Sequence, residues 1–171
     1  MNIDGIREKV VRNITGGVDE KIKIKRESSS DTRTCDYTKV TKEELYKNSL
    51  SHISDVNLGI SYLIRKLREA ALLHDVTKTY DIDKFYNDFK TGFENTDWWE
   101  EHQKVERHHF NDGKYIQDDI NLIDVLEQIV DGVMAGMART GKYRHEPISN
   151  ELLQRAYNNT AKLLIDNTSV V

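Results

Sequence analysis

The sequence predicts an all-α fold, a bundle of helices over residues 41–171 that follows a short N-terminal extension. Three observations carry this. Apolar residues recur at helical spacing over most of the chain after Thr41. Capping residues stand at the starts of these runs. Only one proline, Pro147, occurs in 171 residues, and proline is the residue that helix interiors tolerate least. The length suits one domain around one core.

Residues 1–40 read differently. Val10–Ile14 and Lys21–Lys25 have strand character, with turn residues Thr15–Asp19 between them. A short β-hairpin, or an irregular segment, is the expectation. Lys21, Lys23 and Lys25 alternate with isoleucines, as on an edge strand with one wet face. Ser28–Asp31 reads as a linker.

The first helix starts at Thr41-Lys42-Glu43-Glu44, which has the form of a capping box. Leu45, His52, Val56, Ile60, Leu63, Ile64 and Leu67 carry it into the sixties. A second helical stretch holds Ala70-Ala71-Leu72-Leu73-His74-Asp75. A third runs from Ile82 to Phe89, and a fourth from Asp97 to Phe110. Asn111-Asp112-Gly113 marks a turn. A fifth helix runs from about Asp118 to Arg139, stopped by Thr140-Gly141, and Ser149 caps the last. Trp98 and Trp99 read as core or interface anchors. Met134 and Met137 read as core packing.

Composition excludes several classes. A net charge of -4 argues against bulk nucleic-acid binding. No apolar run is long enough to span a bilayer, and no secretory signal is evident. The single cysteine, Cys35, allows no internal disulfide and no cysteine zinc motif. A reducing, cytoplasmic setting is expected.

Five of the six histidines lie between residues 52 and 109. His74-Asp75 ends an apolar run. A buried, unpaired Asp there would be costly, and a metal ion compensates its charge. Ala71-Leu72-Leu73-His74-Asp75-Val76-Thr77-Lys78 resembles the signature of the HD-domain superfamily of metal-dependent phosphohydrolases. In that superfamily an upstream histidine, the His-Asp doublet and a distant aspartate hold metal. The resemblance implies an HD-domain-like helical bundle over roughly residues 41–140. It also implies His52, His74, Asp75 and Asp131 as ligands. Lys78 matches a lysine that contacts substrate phosphate, beside Asp75 at the catalytic position. Asp131 is preferred over Asp124 because Ile129-Val130 and Val133-Met134 flank it.

Trp98–His109 reads as one helix, in which His102 and His109 share a face two turns apart. They match the extra histidines of two-metal HD proteins, with His108 and Arg107 as further candidates. The Gly-Tyr-Pro motif of the cyclic-dinucleotide enzymes is missing. Glu106 or Asp55 could orient a ligand histidine.

Such a set favours two transition ions, Mn, Fe, Ni, Co or Zn, over Mg, which prefers oxygen ligands. Two ions about 3.5–4 Å apart can activate water and neutralise a phosphoryl group. The expected function is phosphomonoester or phosphodiester hydrolysis of a nucleotide or related phosphoester through a metal-bound hydroxide. The resemblance also admits a di-iron oxygenase and a non-catalytic binding module on a degenerate HD fold. The expected partner is a small phosphorylated substrate, with self-association into a homo-oligomer left open.

Overall fold

The computed structural model describes Gly5, Glu8, Arg12 and residues 21–26, 35–94, 97–110, 113–143 and 147–171. It is mostly helical, with two short strands. Strand β1 is Ile22–Ile24. Helices α1 to α6 follow: Lys42–Leu73, Val76–Tyr80, Ile82–Lys90, Trp98–Val105, Leu122–Thr140 and Asn150–Asp166. Strand β2, Thr168–Val170, ends the order.

The all-α expectation holds, but the hairpin does not supply the partner of β1. That partner is β2, in parallel, with Ile22 opposite Thr168 and Ile24 opposite Val170. Ile22 is buried while Lys21, Lys23 and Lys25 are exposed, so the one-wet-face pattern is present. Of the hairpin's first strand only Arg12 is described, and it is helical. Its turn, the linker Ser28–Asp31 and the pair Asn111-Asp112 lie outside the described residues.

Helix α1 begins as the sequence indicates. Glu44 N–H donates to Thr41 Oγ1 at 3.2 Å, and Thr41 N–H donates to Glu44 Oε2 at 2.9 Å. It then runs unbroken for 32 residues. The two helical stretches expected on either side of residue 68 are therefore one element, and Gly59 does not interrupt it. The helix ends at His74, and Asp75 follows in the left-handed region with φ 53°. Such a φ is uncommon outside glycine, though Asp and Asn adopt it most readily.

Helix α4 ends earlier than expected. Glu106 is extended, and residues 106–110 turn away from the helix axis. Arg107 holds this turn against α5. Its Nε and second terminal nitrogen donate to Asp124 Oδ1 and Oδ2 at 2.7 and 2.8 Å, and its first terminal nitrogen to Asp119 Oδ1 at 3.0 Å. Asp124 is buried and also caps the start of α5 by accepting from Asn121 N–H. Phe110, Ile120, Val125 and Ala156 then form the buried core between this segment and α6, with Leu122 and Leu152 packed on it. Helix α1 packs against α5 and β1. Met134 and Met137, expected in the core, are exposed on α5. No helix among the described residues is long and apolar enough to cross a membrane.

Candidate metal centre

Four elements converge at the end of α1. His74 is its C-cap residue, and Asp75 opens α2. His102 lies on α4, while His108 and His109 lie in the turn after it. Glu127 and Asp131 lie one turn apart on α5. Ligand atoms of His74, His108 and Glu127 lie within 4.8 Å of one another, and so do those of Asp75, His102 and His109.

Asp75 joins the two groups. Its Oδ1 is 3.3 Å from His102 Nε2 and 3.8 Å from His108 Nε2, and its Oδ2 is 3.6 Å from His74 Nε2. Asp131 Oδ1 is also 3.6 Å from His74 Nε2. His102 Nε2 faces His109 Nε2 at 2.9 Å. Four imidazole Nε2 atoms thus gather around one carboxylate.

For His102 and His74 the opposite ring nitrogens are held by partners that aim these Nε2 atoms. Thr77 donates its hydroxyl hydrogen to Glu106 Oε1 at 2.8 Å, so at 2.6 Å it must accept from His102 Nδ1. His102 therefore carries its proton on Nδ1 and presents a lone pair at Nε2. Trp98 and Trp99 stack on the His102 ring at centroid distances of 5.0 and 5.1 Å. Glu127 Oε1 lies 2.9 Å from His74 Nδ1 and 3.1 Å from His108 Nδ1. It faces the rings' outer nitrogens, which is where an orienting carboxylate stands behind ligand histidines.

The electrostatics suit His102 and His109 as ligands, which must be neutral to bind metal. Burial, reinforced by His109, holds His102 down to about 3 against the pull of Asp75. Burial and the nearby His108 hold His109 down to about 4. Burial also opposes the charged form of His108, but Glu127, Asp75 and Asp131 outweigh it and raise its pKa. Burial works against ionised Asp75, yet Lys78, His74 and His102 keep it below the usual carboxylate range. Glu127 is likewise kept low by His108 and His74 against its burial.

A divalent ion fits this donor set. Asp75 Oδ1 and His108 Nδ1 and Nε2 are buried and lack an aligned hydrogen-bond partner. Buried polar atoms are seldom left so, and a cation among them would satisfy the carboxylate oxygen and the Nε2 lone pair together. The groups present can hold a metal.

Of the residues expected from the sequence, His74, Asp75, His102, His109 and Asp131 come together. His108 joins them fully, because the turn at Glu106 frees it from the helix face where it would point away. His52 does not. It is exposed on α1, and the unbroken helix sets it roughly 30 Å along the axis from His74 at 1.5 Å per residue. Asp55 is on the same distant part of α1. Lys78 ion-pairs with Asp75, so it neutralises the carboxylate rather than standing free for phosphate. Arg107 is the clamp on Asp124 and Asp119, not a ligand. Asp124, expected at the surface or behind the ligands, is that clamp's buried partner. Glu127 and Thr77 were not expected. Glu127 had a signal, its position four residues before Asp131 on one helix face. No family model, curated protein or solved structure matches this chain.

Proposed function

We propose that this chain is a metal-dependent phosphohydrolase, cleaving a phosphomonoester or phosphodiester of a nucleotide or related compound. The observation that carries it is the convergence of four imidazole Nε2 atoms on Asp75, with His102 neutral and held from behind. Imidazole-rich sites of this kind suit Mn, Fe, Co, Ni or Zn better than Mg. Bound there, such ions would lower the pKa of water towards neutrality and offset phosphoryl charge.

The chain's own residues supply the rest. Glu127 fixes the ring of His74, and the Thr77–Glu106 pair fixes that of His102. Asp75 carries the negative charge shared between the two groups. Lys78 touches that carboxylate, and a cation on Asp75 would release its ammonium for a substrate oxygen. Asp131, part exposed, stands on the open side beside His74.

The test is hydrolysis by protein loaded separately with each of the five metals. Mononucleotides and bis(p-nitrophenyl) phosphate are the substrates. Release of phosphate or nitrophenol should require metal and fall at least ~100-fold in His74→Ala, the loss expected when a residue central to charge stabilisation is removed. No release with any metal, or undiminished release by His74→Ala, overturns the proposal.

A further inference from the structure

Helix α1 carries an apolar pattern that the described residues leave partly exposed. Ile53, Val56, Ile60, Leu63, Leu67 and Ala70 follow alternate steps of three and four. These are the a and d positions of a heptad repeat. The buried residues of α1, Asn48, Tyr62 and Glu69, fall on another side of the helix at 100° per residue. Ile53 is 54% exposed, Ile60 50%, and Ile64 beside them 62%.

Helix α5 extends the same apolar surface with Leu126, Ile129, Val130, Met134 and Met137, all exposed. Where α1 and α5 meet, a groove of about 310 Å³ runs past Leu67, Ala70, Val130 and Met134 to His74 and Asp131. A small ligand could fill that groove but not the stripe, which spans roughly 25 Å from Ile53 to Ala70 at helical rise. A rod of this length is matched by another helix. The exposed parts of these side chains on α1 and α5 amount to roughly 1,000 Å² per chain, against about 800 Å² per partner in a standard stable interface.

We infer that this face is the docking surface for a second copy of the chain, with the two α1 helices antiparallel about a two-fold axis between Ile60 and Leu63. Reversal puts each a position on a d position. Ile53 meets Ala70, Val56 meets Leu67 and Ile60 meets Leu63, so the small Ala70 and Val56 each face a larger side chain. Parallel pairing would set Ala70 against Ala70 and leave a void. Charge agrees with reversal. Residues 42–57 carry two basic and three acidic side chains, and residues 58–73 three basic and one acidic. The N-terminal half of one α1 then crosses the groove of the other and closes the side of the centre next to His74 and Asp131.

Light scattering on the full chain at about 10 µM should give twice 19.9 kDa. Ile60→Glu should return it to a single-chain mass with unchanged helix signal, because Ile60 is half exposed in one chain. In a Cys35→Ser background, Ile53→Cys with Ala70→Cys should give a disulfide-linked dimer on mild oxidation. Those positions lie roughly 25 Å apart in one chain, so the bond is between copies. A wild-type monomer at 100 µM overturns the inference, whether the face then takes a ligand or another protein. Equal cross-linking by Ile53→Cys alone overturns the antiparallel register.

Discussion

Asp75 is where the centre is most exposed to a single change. Its left-handed backbone costs most residues about 1 kcal/mol or more, and among residues other than glycine it costs Asp and Asn least. Asp75→Asn therefore keeps the backbone and the shape but removes the charge that faces His74, His102, His108 and Lys78. Elemental analysis should find at most one ion per chain in this variant, with the far-ultraviolet circular dichroism unchanged. Retention of every ion bound by the parent would show that Asp75 is not a ligand. The histidines set a second expectation. An unfolded histidine titrates near 6.5, whereas His102 titrates at about 3 and His109 at about 4 in the folded chain. Between those values the unfolded chain binds more protons, so acid favours unfolding. Metal-free protein should be insensitive to these two groups above pH 6.5. It should lose up to about 1.4 kcal/mol per pH unit for each as the pH falls towards 4. His108, raised by Glu127, works in the opposite sense: its contribution is present at low pH and lost as the pH rises through its folded pKa. Two depressed groups against one raised group leave a net fall. Thermal midpoints at pH 7, 6, 5 and 4.5 check the sign, and a midpoint that rises on acidification contradicts it.

At the scale of elements, capped helix starts were legible, and helix ends were legible only where the local sequence marks them, as at Thr140-Gly141. The capping boxes at Thr41 and Asn121 and the cap at Ser149 all form as local side-chain to backbone bonds, and only Asn121 lay off the expected start. The end of α4 has no such mark. Val105, Glu106 and Arg107 bring neither glycine nor proline, and the helix stops because Arg107 is drawn to Asp124 and Asp119, twelve and more residues away. That long-range pair decides where His108 and His109 point, and a sequence window cannot contain it. The continuity of α1 was illegible for a similar reason: nothing local separates a long helix from two shorter ones, and the placement of His52 depended on which it was. The clamp has a measurable weight. Arg107→Met leaves the buried carboxylate of Asp124 without its bidentate partner. It should cost about 2–3 kcal/mol, less than a fully buried pair because Arg107 is a third exposed. Urea denaturation measures this, and Arg107→Met with Asp124→Asn should recover part of the loss. A change under 0.5 kcal/mol in the single variant would mean that α4 ends for another reason.

Among the described residues, one buried apolar cluster, Phe110, Ile120, Val125 and Ala156, is set against the segment that carries His108 and His109. The centre joins parts of the chain that this cluster reaches only through Phe110 and Val125: the end of α1, the start of α2, α4 with its turn, and the middle of α5. An ion there ties residues 74 to 131 together in the folded chain alone, since the unfolded chain has no such arrangement. Binding to the folded state alone adds RT ln(1 + [metal]/Kd), about 4 kcal/mol at a thousandfold excess over Kd. For a chain of this length one kcal/mol moves the midpoint by about 2–4 °C. Each tightly held ion should therefore raise the thermal midpoint by roughly 8–16 °C, and a chelator should reverse the rise. The Asp75→Asn variant separates this from metal caught on surface carboxylates such as Glu100 and Glu101, which it leaves intact. If the rise comes from the centre, the variant should lose most of it. If the variant keeps the full rise, the ion binds elsewhere, and the convergence on Asp75 is a hydrogen-bonded histidine cluster.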